Sequence, residues 1–383
     1  QRLWLQHNQA TRKILWQEPL GVREPLCMRI STSFSYLMPK PRVMGDIRDT
    51  YFRDQIEVCK LGLRDYFEKT KAFKRIIIAL SGGKDSMITL VFAYMVALTK
   101  FGHLPEEERK AAIKDFIWCI SMPTKFNTTT TRNLSADICE RFGVTFKEIS
   151  IQDAVELEVA KITALLPEGY DTNPETNPAW DLTLQNAQAR VRGEIMQNLA
   201  NAVGGFWLQT SNMSEKAQGY TTVGGDMMGG YSLIANMAKT NVIALLEYLR
   251  DNYVGYEFLE KLLATVASAE LKDNQADEKD LMPFEIIDAC TVLFVGHKLM
   301  PVEIHERLCW QFKAKYGRQQ LSFWVRRFIR NFFKSIFKWV QCPESVHQGT
   351  VDLERERMLQ IPVVQSIQWV QGDLDRLEAL EKN

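Results

Sequence analysis

Apolar residues follow two rhythms along the chain. From 46 to 70, Ile47, Tyr51, Phe52, Ile56, Leu61, Leu63, Tyr66 and Phe67 recur at helical spacing, which predicts an amphipathic helix. Ile76-Ile77-Ile78-Ala79-Leu80 follows as a short β-branched run, the signature of a strand buried on both faces. Met87 to Leu98 is apolar without breakers and predicts a buried helix. The same reading places a second strand at Ile113 to Ile120, closed by Met122-Pro123, a helix at Thr128 to Phe142 and a third strand at Val144 to Ile151. Pro167 to Trp180 reads as a loop, 184 to 202 as a helix, Phe206 to Thr210 as a fourth strand and Lys239 to Arg250 as another helix. The glycine-rich stretch from Gly219 to Gly230 is expected to stay mobile until a ligand arrives.

The β–α–β–α–β order predicts an α/β fold: a doubly wound, mostly parallel sheet with helices on both faces. Ligands of such sheets bind beyond the carboxyl ends of the strands. Residues 1–45, with Pro19, Pro25, Pro39 and Pro41 and no sustained periodicity, read as an N-terminal arm or linker remnant. The main domain is expected over 46–345. A C-terminal extension over 346–383 carries Ile367, Val370, Leu374, Leu377 and Leu380 at helical spacing, fit for docking on the parent domain or on a dimer partner.

Bulk properties narrow the class. At 383 residues the chain can bury a large core, and its zero formal net charge gives no electrostatic footprint for nucleic acid or membrane. Seven scattered cysteines, odd in number and without a CxxC pair, argue for reduced thiols in a cytoplasmic setting and against a structural zinc site. No apolar run is long enough to span a membrane. The first residue is Gln rather than Met, as in a processed or truncated piece.

The chemistry centres on Ser81-Gly82-Gly83-Lys84-Asp85-Ser86, between the first strand and the helix after it. Two glycines let a ligand approach the backbone, and the helix start directs its amides and positive dipole end at that ligand, which should be an anion. Ser81 and Ser86 add hydroxyls and Lys84 a positive charge. Asp85 suits a magnesium ion carried with a phosphate better than the phosphate itself. The pattern is not the GxxxxGK[ST] loop.

SGGxDS after an apolar strand resembles the pyrophosphate loop of the N-type ATP pyrophosphatases. Four further stretches sharpen the resemblance: LQNAQARVR at Leu184–Arg192, QTSNMSEKAQGY at Gln209–Tyr220, SAELKDNQADEKDLMP at Ser268–Pro283 and FIRNFFKSIFK at Phe328–Lys338. In this order and spacing they resemble the synthetase domain of NAD synthetases, particularly the glutamine-dependent type. The resemblance implies ATP with Mg2+, adenylation of the carboxylate of nicotinic acid adenine dinucleotide, and attack by ammonia to give NAD, AMP and pyrophosphate. It implies that Ser81, Gly82, Gly83, Lys84, Asp85 and Ser86 cradle pyrophosphate, and that Asp85 and Glu215 share magnesium. By the same resemblance Thr210, Lys239 and Ser268 contact ATP or its phosphates, with Lys239 also catalytic, and Met122 borders the adenine. Arg190, Asp226 and Lys334 fall to the dinucleotide.

The chain departs from the family in places. Val223 stands at a lysine position, Gly230 near an aspartate position that Asp226 could partly replace, and the basic segment near the end is reduced to Phe333-Lys334-Ser335. Residues 1–45 are too short for the nitrilase-like glutaminase of the glutamine-dependent enzymes, so ammonia is expected free or from a separate glutaminase chain or domain. A homodimer is expected by resemblance. Two alternatives stay open: a degenerate ATP-binding scaffold, and another pyrophosphate-loop adenylating enzyme with a different acceptor. The aromatic run with Phe323, Trp324, Phe328, Phe332, Phe333 and Phe337 reads as core.

Overall fold

The computed structural model of the chain describes residues 47–265, 270–272, 278, 281–349, 351–354 and 366–382. The arm expected over 1–45 and the candidate Ser268 lie outside the described residues. The first half runs α1 (Ile47–Thr70), β1 (Arg75–Ala79), α2 (Lys84–Phe101), α3 (Glu106–Phe116), β2 (Ile117–Ser121), α4 (Thr129–Phe142) and β3 (Thr145–Glu148). It continues through α5 (Gln152–Ala164), α6 (Pro178–Val203), β4 (Gly205–Gln209), α7 (Met213–Gln218), β5 (Tyr231–Ser232), α8 (Lys239–Asn252) and α9 (Leu259–Leu263). The last described elements are α10 (Phe284–Thr291), a π-helical turn (Val292–Gly296), α11 (Pro301–Gln311), α12 (Arg318–Trp339) and α13 (Gln368–Lys382).

The five strands lie in the order β3-β2-β1-β4-β5 and pair in parallel throughout. β1 is central because nothing in its run tolerates water: Ile76, Ile77 and Ile78 are all fully buried. Its alternating side chains separate two layers. Ile76 and Ile78 pack with α1 and α2 residues such as Leu63 and Val91, whereas Ile77 packs with Val191 and Met196 of α6 and Trp207 of β4. Helices therefore cover both faces, as the parallel sheet requires. The chain proceeds to β2 and β3 on one side of β1 and to β4 and β5 on the other, so the crevice between β1 and β4 is the topological switch point.

Three expectations shift in extent. Ile113 to Phe116 belongs to the end of α3, so the second strand begins only at Ile117; Ile113 and Phe116 are buried at i, i+3 spacing, a pattern shared by a helix face and a short apolar strand. The third strand stops at Glu148. The loop expected up to Trp180 ends earlier, because the Asn177 side chain accepts from the amides of Ala179 and Trp180 and Pro178 takes the first turn of α6.

A second core lies beyond the sheet. α10, α11, α12 and α13 gather Ile287, Leu308, Phe328, Phe332 and Leu377 into one buried cluster, which α7 joins through Met213 and Ala217. Most of the aromatic run on α12 is interior, but Phe323 and Phe337 are 47% and 50% exposed on its outer face. α13 docks on α12, where the guanidinium of Arg326 holds Glu378 and Glu381, each at 2.8 Å. No described helix is long and apolar enough to cross a membrane.

Candidate active site

A cleft of about 360 Å3 opens at the switch point, lined by the loop after β1, by Ser121 to Pro123 after β2 and by Gln209 to Ser211 after β4. The loop is drawn tight from within. Ser81 Oγ lies 3.2 Å from Ser86 Oγ and accepts the Gly83 amide at 3.2 Å, and Ser86 Oγ donates to the Gly83 carbonyl at 3.1 Å. Gly82 has φ +82°, and a Cβ there would sit 2.3 Å from the carbonyl oxygen of Thr131, so both backbone angle and space demand glycine. α2 starts at Lys84 with Gly83 as its N-cap and no side-chain cap, which leaves its dipole end directed at the cleft.

Asp85, Glu215 and Lys239 come from α2, α7 and α8 and meet on the cleft wall. The Lys239 ammonium pairs with Asp85 Oδ2 and lies 3.5 Å from Glu215 Oε1. Asp85 Oδ1 accepts from Asn212 Nδ2 at 3.0 Å. Asn212 also caps α7 by accepting the amides of Ser214 and Glu215, so one side chain aligns both carboxylates. These hard oxygen donors, drawn to a single positive charge beside an anion loop, fit a divalent magnesium ion. Lys84 points its ammonium at the Thr265 carbonyl, and burial holds that ammonium below the usual lysine range, with the charge of Lys239 adding to the effect.

Of the remaining sequence candidates, Met122, Thr210 and Asp226 line the same cleft. Asp226 meets water at the wall yet is ringed by protein. That enclosure pushes its carboxyl up to about 6, against the opposing pull of the Thr222 amide, Lys338 and Arg192. The glycine-rich stretch around it has a defined path: the Asp226 carbonyl accepts from Gln209 and Ser211, each at 3.2 Å. Gly230 fits against the Phe206 ring, 2.7 Å from where a Cβ would be, so an aspartate there would force the ring aside.

Two candidates lie elsewhere. Arg190 is exposed and donates to the Val223 carbonyl at 3.1 Å, outside the cleft lining. Arg192, two residues on, lines the cleft instead, with Nε on the Met122 carbonyl at 3.1 Å, and burial lowers its guanidinium to about 10. Lys334 is exposed; Lys338, one helical turn further along α12, enters the cleft and donates to the Gly219 and Thr221 carbonyls, both at 2.7 Å. Helix phase separates the two arginines, which point to nearly opposite sides of α6, whereas the two lysines share a face of α12 and differ in position along its axis.

Sequence reasoning also missed Asp288 and Glu270. Asp288 is buried on α10, accepts the Ser214 hydroxyl, and holds the first turn of α8 through Thr240. Glu270 lines the cleft and accepts from Asn127 at 2.9 Å and Thr131 at 3.0 Å. Asp288 stands in no pattern that marks it, whereas Glu270 lies within the SAELKDNQ stretch and was passed over for Ser268; the partners of both lie many tens of residues away.

The family model "NAD synthase" matches residues 55–320. Curated relatives include the glutamine-dependent NAD(+) synthetases of Xanthomonas campestris, 32% identical over 62% of this chain and 38% of that protein, and of Aquifex aeolicus, 29% identical over 78% and 48%. The chain thus spans less than half the length of these relatives. A crystal structure of a glutamine-dependent NAD(+) synthetase from Cytophaga hutchinsonii superposes with a TM-score of 0.72 at 23% identity, covering 86% of this chain and 56% of that one, which shows the same fold. With a match across most of its length that takes in the loop, both carboxylates and Lys239, the chain belongs to the NAD synthase family.

Proposed function

We propose that the chain is a ligase that forms NAD by amidating nicotinic acid adenine dinucleotide at the expense of ATP. The observation that carries this reading is the convergence of the Ser81–Ser86 loop with Asp85, Glu215 and Lys239 at the switch-point crevice. In the first step a nicotinate carboxylate oxygen attacks the α-phosphorus of ATP, and the bond to the β-phosphate oxygen breaks. The Gly82–Gly83 backbone and the start of α2 would hold the departing pyrophosphate, and the charges of Lys84 and Lys239 would offset its growing negative charge. Thr210 and Met122 would fit the nucleotide, Ser268 its phosphates, and Arg192, Asp226 and Lys338 the acceptor end. Asp85 and Glu215 would hold Mg2+, which supplies charge neutralisation at the phosphates. In the second step ammonia attacks the acyl carbon, AMP leaves, and a proton is lost from nitrogen.

Ammonia would arrive free or from a glutaminase domain or subunit. A cytoplasmic homodimer is part of the same reading, by resemblance to the family. Light scattering of the purified chain tests that part. The chemistry is tested by supplying ATP, magnesium and nicotinic acid adenine dinucleotide with ammonium, then with glutamine. NAD, AMP and pyrophosphate in equal amounts with ammonium support the proposal. AMP and pyrophosphate without NAD would move the reaction to another acceptor, and ATP binding without turnover would make the chain a scaffold.

A further inference from the structure

Lys239 occupies a position that the reaction cannot leave unchanged. Its side chain is 3% exposed, and its ammonium rests on Asp85 and Glu215, the two carboxylates that fit magnesium. An ammonium and a divalent ion on the same two carboxylates repel each other at close range, so the two compete for these oxygens. Lys239 cannot simply withdraw into solvent. It is the first residue of α8, its amide is fixed to Ser214 Oγ at 2.8 Å, and its ammonium lies 5.4 Å from the ring centre of Phe284. Lys239 also feels the charge of the buried Asp288, and a buried ammonium that gives up two of its counter-charges is drawn to a new anion within reach. Within the same cleft the anion site is the loop of Ser81 to Ser86, and Asp85 belongs to that loop and to the ion pair at once.

Resting on the reaction proposed above, we propose that Lys239 is an exchangeable counter-ion. Without ligand it neutralises Asp85 and Glu215; when a metal-bound polyphosphate arrives, it cedes them to the metal and transfers its ammonium to the phosphates. One consequence separates this from a lysine that merely binds phosphate: in the absence of nucleotide, Lys239 competes with the metal. Removing its charge therefore improves metal binding to the empty cleft, although it harms the reaction.

The test is a Mn2+ titration of the full chain followed by electron paramagnetic resonance, without nucleotide. Lys239→Met is expected to bind Mn2+ at least tenfold more tightly than wild type, and the double variant with Asp85→Asn to lose that gain. In chelator, Lys239→Met should melt below wild type and recover when Mn2+ is added. Lys239→Gln, whose amide still donates to Asp85, should give the same ranking and covers the case in which the methionine variant fails to fold. Equal or weaker Mn2+ binding by the folded variants overturns the exchange. Product formation by wild type is read separately: NAD made without the affinity gain sinks the exchange alone, and the gain without NAD sinks the reaction alone.

Discussion

Asp288 accepts from Thr240 twice, from the amide at 3.0 Å and from the hydroxyl at 2.7 Å. The same carboxylate takes the hydroxyl of Ser214, which in turn accepts the Lys239 amide at 2.8 Å. One buried group on α10 thus ties α7, which carries Glu215, to α8, which carries Lys239. Asp288→Ala strands buried donors at about 1–3 kcal/mol each. The variant should lose both melting temperature and kcat, while Asp288→Asn, which keeps the shape, should lose less of each. Unchanged kcat in a folded Asp288→Ala protein would remove the tie from the mechanism.

Gly82→Ala meets two obstacles, a left-handed backbone that costs an L-residue roughly 1–2 kcal/mol and the Thr131 carbonyl 2.3 Å from the new Cβ. The loop must move, and a displacement of about 1 Å costs on the order of a hundredfold in rate. Gly83→Ala, with φ −84° and its nearest contact at 3.2 Å, is the milder neighbour. Steady-state rates of ATP cleavage for the two variants should differ accordingly.

Arg192 faces the cleft and Arg190 does not. Losing a charge-assisted bond to an acceptor is worth about 1.5–3 kcal/mol, which is roughly tenfold or more in affinity. Arg192→Ala should therefore raise KM for the dinucleotide by that order, with Arg190→Ala near wild type. The reverse ranking would return the role to Arg190.

Asp226 gives a pH signature. Desolvation pushes its folded carboxyl up to about 6, above its ordinary value of 3.8, even though the residue is exposed to the cleft's water, so the folded state holds the proton more tightly. Stability from this group is present below pH 3.8 and declines as pH rises towards 6. Asp226→Asn removes that decline. Melting curves should show the variant gaining on wild type from pH 4 to 7, whereas a gap independent of pH would mean that Asp226 does not titrate in this range.

Leu377 is fully buried where α13 meets α12. Leu377→Ala is expected to cost about 2–5 kcal/mol, most of it in holding α13. Trypsin should then cut at Arg376 well before the rest of the chain unfolds. Simultaneous loss of both regions would show that α13 and the second core unfold as one.

Much of this was legible in the chain itself, and locally so. A β-branched run, two glycines and an apolar helix dictate the strand, turn and helix around Ser81 to Ser86, because each depends on side chains within a few residues. The parallel sheet followed from the alternation of such units; Asp85 stood in the loop itself, and Glu215 and Lys239 were expected through the resemblance to NAD synthetases. Boundaries such as Phe116–Ile117 were not legible, since an apolar pair at i, i+3 satisfies helix and strand alike. Which arginine enters the cleft was not legible either. Residues two apart on a helix point to nearly opposite sides, and the rotation of α6 is set by how Val191 and Met196 pack on Ile77 and Trp207. Lys338 rather than Lys334 reaches the cleft for a different reason: the two share a face of α12 one turn apart, and packing sets which turn lies beside the cleft. Asp288 and the ion pair of Lys239 with Asp85 exist only after the fold closes, because they join residues 74 and 154 positions apart in the chain. Short-range chemistry decided what the loop is, and long-range packing decided which charges face it.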